Sequence, residues 1–441
     1  MKLFYINDIV SKTTIDGQIE ISCWIKNKRT SGAITFLEIE DSTGSINAIA
    51  EKNILGDPSY NLLRKTPIES SVKIFGNLQA DPHKETLWEI KIVHFDVINK
   101  ATKQLSPSPR TLNDPFNKKY ANQILNNRHL YIRNSKISSV IKIKHQMLIA
   151  IREWFNSNKF TEVDTPILTQ SNLYDNNNTF NTDYFGTKAY LSQCAGLYLG
   201  AMVPALEKVY TITPAFRKES SKSPRHNPEF YHLKGQMAFY NLQETMKLVE
   251  DFIYHTVIFI DTNCSKDLSQ LEININTKMY EPPYPVISYL DSIKLLKSNG
   301  INIKIGQSLN EKAEQCIADK YNKPTFIMNI PSEIEPFPYS LTDDKLFTKT
   351  ADLLIPNGFG EILGIAEFIY DTEELKTRMK EKKKDPKENN LEWYTDLSKF
   401  GDVPKSGFGM GVERLLRAIL KLPHIRDCYM FPRLYGRQPY P

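Results

Sequence analysis

Ser406-Gly407-Phe408-Gly409-Met410-Gly411-Val412-Glu413-Arg414-Leu415-Leu416-Arg417 is the stretch from which the fold can be read. Three glycines at alternate positions mark a strand that a ligand or another backbone approaches closely. A helix begins directly after the last glycine, with Arg414 in its first turns. The third glycine comes too early for a dinucleotide-binding fingerprint, and the chain has no GxxxxGK[ST] phosphate loop.

Two earlier segments extend the pattern. Ala215-Phe216-Arg217-Lys218-Glu219-Ser220 leads into a polar loop with Arg225-His226 and then into Glu229-Phe230. Strand, basic loop and strand would gather two arginines and a histidine around one anion, with Arg217 offering a rigid fork to phosphate oxygens. Phe230 could lie flat against a base. An exposed hairpin with charged flanks would read the same way. Further back, Phe160 to Thr169 takes a helix into a strand that carries Pro166.

Before that strand, Ile137, Val140, Ile141, Met147, Leu148, Ile151 and Phe155 share one helical face, interrupted by Lys144. A second helix is expected over Leu242 to Thr256. Arg378 to Lys387 holds six Lys/Arg and one Pro in ten residues. Such a run reads first as a solvated helix end and loop, and second as an RNA contact.

Residues 17 to 98 alternate with period two, beginning at Gly17-Gln18-Ile19 and again at Ala33 to Glu40, with more strands at Ser45 to Ala50, Ser71 to Phe75 and Trp88 to Phe95. Five short strands in so short a span predict a small barrel. Residues 101 to 120, with Pro107, Pro109 and Pro115, read as a linker.

Composition narrows the class. Of 441 residues 41% are hydrophobic and 24% charged, which excludes a disordered chain. The balance of 56 Lys+Arg against 51 Asp+Glu, 56 − 51 = +5, permits a nucleic-acid partner without arguing for one. Five cysteines without a CxxC pair argue against a zinc knuckle and a disulfide scaffold, and suit a reducing compartment. The N-terminal apolar run is too short for a signal peptide, and no run of about 18 apolar residues exists to span a membrane. A soluble, cytoplasmic protein is expected.

Together the three segments resemble motifs 1, 2 and 3 of class II aminoacyl-tRNA synthetases, within them the aspartyl/asparaginyl subgroup, and there the asparaginyl enzymes of archaeal type. Ala189-Tyr190-Leu191-Ser192-Gln193, Asp352-Leu353-Leu354 with Gly358-Phe359-Gly360-Glu361-Ile362, and the tail Phe431-Pro432-Arg433 with Gly436-Arg437 strengthen the resemblance. It implies an α+β fold. An anticodon-binding-like OB-fold barrel would occupy residues 1–100 and a linker 101–126. A catalytic domain, an antiparallel sheet flanked by helices, would occupy 127–441. It also implies a two-fold homodimer through the Pro166 region.

Residue by residue, the resemblance implies an ATP site. Arg217 matches the arginine on the α-phosphate, and Glu219 the acid at the adenosine end. Arg225 and His226 match the loop residues on the β/γ-phosphates. Phe230 matches the ring that stacks on adenine, and Arg414 the arginine on the terminal phosphate and adenine face. Asp352 and Glu361 match the carboxylates that bind Mg²⁺. Attack of a carboxylate on the α-phosphorus builds negative charge that arginine and Mg²⁺ stabilise without a general base. ATP-dependent adenylation with release of pyrophosphate is therefore expected.

The amino-acid half departs from the family. The family surrounds the substrate's α-ammonium with acidic and amide groups. Its glutamate in the loop near Asn172 to Phe180 is matched by Tyr174. The glutamine that follows the Ser192-Gln193 strand is matched by Gly196, and an acidic strand residue by Lys234. Gln236 replaces a second acid on that strand. Phe368 stands where an arginine grips the substrate side chain. These changes imply a paralogue that adenylates a carboxylic acid other than asparagine and passes it to an acceptor, an amine that becomes an amide. A divergent asparagine–tRNA ligase is the alternative, and a non-catalytic RNA-binding relative the third reading.

In the barrel, Phe36 matches an aromatic that stacks on an anticodon base, though a core ring would read alike. Asn47 matches a glutamine that reads the middle base. Glu40 replaces an arginine and would put negative charge near the RNA face. Lys26, Lys28 and Arg29 are expected to offer phosphate contacts.

Overall fold

The computed structural model describes residues 5–11, 18–81, 88–171, 173, 174 and 176–440. Gly17 and Asn172, named above, lie outside the described residues. The chain divides into two compact units. One runs to Pro115 and takes in Leu130–Ser135, and the other comprises Phe116–His129 and Lys136 onward.

In the first unit, β1 (Gln18–Ser31), β2 (Ile34–Glu40), β3 (Ser45–Glu51), β4 (Ser71–Ala80) and β5 (Trp88–Asn99) close a barrel in the order β1-β2-β3-β5-β4. Only the β3–β5 pairing is parallel. Alternate residues such as Ile19, Ile21, Cys23 and Ile25 of β1 and Leu37 and Ile39 of β2 fill the interior, so the period-two pattern is the barrel's inside–outside alternation. The helix Lys52–Lys65 between β3 and β4 adds Leu63 to that core.

The barrel corrects three expectations. Lys28 donates its ammonium hydrogens to the Leu63 and Arg64 carbonyls, at 3.3 and 2.8 Å, and to Thr66. It caps the C-terminal end of the helix, where cations are favoured, and is not free for phosphate. Glu40 is buried and accepts from Arg110 Nη1 at 2.6 Å, so its charge is compensated inside the unit. Lys26 is paired with Glu38 at 2.7 Å. Phe36, by contrast, is 43% exposed opposite Arg29 on β1, and Asn47 is exposed on β3. Phe36 is therefore no core ring.

The second unit is built on an eight-stranded sheet. Its strands are β6 (Thr161–Glu162), β10 (Lys208–Phe216), β11 (Glu229–Ala238), β12 (Val286–Ser288), β13 (Thr325–Met328), β14 (Thr350–Ile355), β15 (Gly360–Phe368) and β16 (Lys405–Gly411). They lie in the order β12-β13-β14-β15-β16-β11-β10-β6. Pairing is antiparallel from β13 to β10 and parallel only at the two edges, β12–β13 and β10–β6. A small sheet of β7 (Leu168–Thr169), β8 (Asn181–Tyr184) and β9 (Thr187–Leu191) stands beside it.

One face of the large sheet is covered by the helices Ser135–Ser157 and Leu242–Asn263. Phe155 stacks on Tyr210 of β10 with ring centroids 4.2 Å apart. The second helix starts on a capping box, Asn241 with Glu244, and runs beyond Thr256 to Asn263. Lys144 interrupts the apolar face because it pairs with the fully buried Glu413 at 2.5 Å. The other face of the sheet carries the cleft described next. The strand expected to carry Pro166 is not formed: β6 ends at Glu162 and β7 begins at Leu168, and Pro166, which has no N–H to give a ladder, lies between them.

Candidate active site

Local sequence explains how the cationic residues are aimed. β10 ends at Phe216, so Arg217 opens the loop, and its N–H donates to the Pro228 carbonyl at 2.9 Å to close the hairpin. β16 ends at Gly411, and Arg414 follows in the first turn of the helix Val412–Ile419. The sheet pairs Gly411 with His232 and Gly409 with Lys234, and Gly364 of β15 lies beside Gly409. These glycines leave a floor without side chains. A Cβ on Gly409 would meet His232 Nε2 at 2.9 Å and Lys234 Cε at 3.0 Å.

Above that floor opens a cleft of about 680 Å³. Arg217, Glu219, Arg225, His226, Phe230, Asp352, Glu361 and Arg414 all line it, so the whole expected ATP set is brought together. The Arg217 guanidinium lies 5.5 Å from the Phe230 ring centroid and 5.2 Å from that of Tyr174. Arg414 Nη1 donates to the Glu361 carbonyl at 3.0 Å and lies 3.5 Å from its carboxylate. Arg225 pairs with Glu314, a residue of the helix Glu311–Tyr321, whose carboxylate also accepts from the Glu361 N–H at 3.1 Å. Gly360 is required here, because it sits at φ +67° and a Cβ would fall 1.8 Å from Arg225 Nη1. His226 shares a 3.2 Å hydrogen bond with the Ser221 hydroxyl and lies 3.8 Å from Glu219. Burial, and then Arg414, hold its imidazole below the ordinary histidine value.

The chemistry of the donor set suits polyphosphate. Arg217 Nε and Arg225 Nε are buried without a hydrogen-bond partner among the described residues. Buried donors left open in this way are costly unless an acceptor arrives.

A bulge in the β14–β15 ladder lets Leu354 pair with Glu361 and Leu353 with Leu363. It leaves both Asp352 and Glu361 lining the cleft. Burial, then Glu361, Glu335 and Glu314, push the Asp352 carboxyl well above the usual carboxylate range. A divalent cation would relieve that crowding. Among the described residues no three His, Cys, Asp or Glu form a closed metal cage. Two carboxylates completed by phosphate oxygens and water are the habit of Mg²⁺, so the pair fits that ion.

The amino-acid half is only partly as expected. Tyr174 and Lys234 line the cleft. Lys234 is buried, 6% exposed, with its ammonium 3.0 Å from Cys194 Sγ. Gly196, at the start of the helix Gly196–Leu206, lies behind it. Gln193 donates to the Asn178 carbonyl at 3.0 Å, and Gln236 donates to the Gly196 carbonyl at 2.8 Å. Neither lines the cleft; both hold the backbone around it. Phe368 does not line it either. Tyr339 stands edge-on against its ring, with centroids 5.5 Å apart, and Tyr339 faces the cleft in its place.

Several lining residues escaped the sequence reading. Glu335 and Tyr339 come from the segment Pro331-Ser332-Glu333-Ile334-Glu335-Pro336-Phe337-Pro338-Tyr339, whose two charges and three prolines carry no periodicity or motif that marks a site. Lys382, Lys383 and Lys384, from the basic run, also line the cleft. Lys382 donates to the Glu333 carbonyl and Lys384 to the Tyr174 carbonyl, both at 2.7 Å. The run is therefore part of the site wall and not only a solvated helix end.

The geometry agrees with comparison to known proteins. Residues 121–435 match the family described as tRNA synthetases class II (D, K and N), and residues 19–99 match the OB-fold nucleic acid binding domain. An asparagine–tRNA ligase of Pyrococcus furiosus is 36% identical over 97% of both chains. One of Thermoplasma acidophilum is 33% identical over 98% of this chain and 99% of its own. The crystal structure of asparaginyl-tRNA synthetase from Pyrococcus horikoshii, complexed with asparaginyl-adenylate, superposes with a TM-score of 0.90 at 34% identity, covering 96% of each chain. With the barrel, the sheet and the arginine-lined cleft in place, the chain belongs to the class II aminoacyl-tRNA synthetases of the aspartyl, lysyl and asparaginyl group, and is an ATP-dependent ligase.

Proposed function

We propose that this chain joins an amino acid to ATP as an aminoacyl-adenylate and delivers the aminoacyl group to tRNA, asparagine being the amino acid its relatives put first. The supporting observation is a complete set of ATP-site residues around one cleft, on a chain similar end to end to asparagine–tRNA ligases. The pocket residues alone point to another acid; the similarity to asparagine–tRNA ligases favours this alternative.

Each group has a task. Arg217 orients the α-phosphate and stabilises charge on its oxygens as the amino-acid carboxylate attacks. Arg225 and Arg414 hold the remaining phosphates so that pyrophosphate leaves in line. Phe230 receives the adenine face. Asp352 and Glu361 would hold Mg²⁺, which supplies further charge neutralisation when bound. The small-residue floor lets the adenylate lie close to the sheet.

ATP–pyrophosphate exchange with Mg²⁺, with and without L-asparagine, tests the reading, followed by aminoacylation of a tRNA transcript. Asparagine-dependent exchange supports it. Its absence in protein that still binds ATP would sink asparagine as the substrate.

Lys234 favours a second reading, in which the acid is not asparagine and the acceptor is an amine. An ammonium held about 4 Å from Lys234 at an effective dielectric of 20 would cost roughly 4 kcal/mol. A non-catalytic relative is disfavoured by the family assignment and the full ATP set.

We also propose a two-fold homodimer through the Pro166 segment, where Ile167 and Leu168 are exposed at 39% and 46%. Sedimentation should give twice the chain mass, and Leu168→Glu should give monomers. No helix among the described residues is long and apolar enough to cross a membrane, and the cytoplasm is the proposed location.

A further inference from the structure

The amino-acid half of the cleft holds a carboxylate that no part of the proposed chemistry uses. Glu335 hangs from the loop between the Pro331–Phe347 bridge and the Tyr339–Phe368 bridge, and it lines the cleft with Tyr174, Tyr339 and Lys234. No hydrogen bond or ion pair closes on its carboxylate among the described residues. The nearby cations are engaged elsewhere. Lys382 donates to the Glu333 carbonyl, and Arg378 donates to Glu381 and to the Ser332 carbonyl.

Its surroundings leave Glu335 short of a partner. Burial, and then Glu361, raise its carboxyl to about 7, while Lys382 and Arg378 offset this in part. Tyr174 lies within electrostatic reach of both Lys234 and Glu335, and shares a hydrogen bond with Tyr339. The two tyrosines thus stand with a lysine from the sheet on one hand and a glutamate from the loop on the other. Among the described residues the hydrogen-bond partner of the lysine ammonium is a thiol, at 3.0 Å. A ligand that satisfies both must carry a cation and an acceptor.

We propose that Glu335 receives the ammonium group of the acid activated in this cleft, and that Lys234 receives its second carbonyl or carboxylate. The inference rests on the reading of the cleft as an amino-acid-activating site, and it names the substrate class as a zwitterion with a second carbonyl. It also resolves the conflict posed by Lys234, because the substrate's ammonium is carried to Glu335 and away from the lysine.

The test is ATP–pyrophosphate exchange by the full chain with L-asparagine, L-aspartate, β-alanine and succinamic acid, the last being asparagine without its ammonium. Wild-type protein should accept an amino acid and reject succinamic acid. Glu335→Gln should raise the KM of the accepted amino acid about tenfold or more, the scale of a charge-assisted hydrogen bond, with kcat and the KM of ATP little changed. Glu335→Asp should restore part of the loss. Lys234→Met should raise the KM of asparagine or aspartate, and β-alanine, which lacks the second carbonyl, should be a poor substrate of the wild-type protein. An unchanged amino-acid KM in Glu335→Gln would overturn the proposal, as would a parallel rise in the KM of ATP, which would assign Glu335 to the metal cluster. If succinamic acid drives exchange and no amino acid does, the amino-acid reading itself fails, and the proposal fails with it.

Discussion

Lys234 and Gly196 occupy one space: a Cβ on residue 196 would sit 3.3 Å from the Lys234 ammonium and 3.3 Å from Cys194 Sγ. The two departures from the family pattern are therefore one packing solution. A lysine fits on β11 because the facing helix begins with a glycine.

That coupling can be measured. Gly196→Gln should destabilise the chain and suppress activation, because the amide has no room beside Lys234. Adding Lys234→Ala should recover part of the loss. A double-mutant cycle on thermal unfolding should show a coupling of about 1–3 kcal/mol. Additive effects would mean the two side chains do not share this space.

Arg414 is fixed by its first-turn position and by the Glu361 carbonyl. Arg414→Ala should lower the rate of adenylation by about 10²–10³, the usual cost of one charge-stabilising donor. Pre-steady-state formation of adenylate checks this. Wild-type-like turnover would refute the assigned ATP site.

His226 titrates below the ordinary histidine range because it is buried and faces Arg414 and Arg225, with Glu219 and Glu361 acting the other way. It is neutral in the free protein near pH 7. Polyphosphate arriving beside it favours the charged form, raises its pKa and takes up a proton. ATP binding should thus strengthen as pH falls towards 6. Calorimetry in two buffers of different ionisation heat should show proton uptake in wild type and none in His226→Gln. Equal heats in both buffers for wild type would dismiss the role.

Lys144 and Glu413 form a buried pair, and the second oxygen of Glu413 accepts from the Tyr231 N–H at 3.1 Å. Lys144→Met leaves that carboxylate uncompensated. It should cost about 3–5 kcal/mol, seen as a lower midpoint in urea at unchanged slope. A loss below about 1 kcal/mol would show that water or backbone already satisfies Glu413.

Phe36 is free on the barrel surface, so it is available to stack. Phe36→Ala should weaken tRNA binding by about 1–3 kcal/mol without altering pyrophosphate exchange. Unchanged affinity would leave the barrel without a role in RNA binding through this face.

Much of this was legible locally. Period-two alternation located all five barrel strands, and strand–loop–strand and strand–helix spacing located Arg217 and Arg414, because neighbouring residues settle where such side chains leave the sheet. Lys28 shows where local reading stops. It lies on a basic strand and looks like a phosphate contact, but the end of a helix more than thirty residues on claims its hydrogens.

The sequence by itself determined the barrel through short-range periodicity, and the aim of Arg217 and Arg414 through turns of a few residues; the antiparallel sheet and the rest of the expected ATP set came from the resemblance to the synthetase family. Only the tertiary structure decided the amino-acid half. Phe368 is screened by Tyr339, Gln236 turns to the Gly196 carbonyl, and Glu335 enters from a loop a hundred residues beyond Lys234. Which of these meets a ligand is set by long-range packing against the sheet, and no local pattern of residues records it.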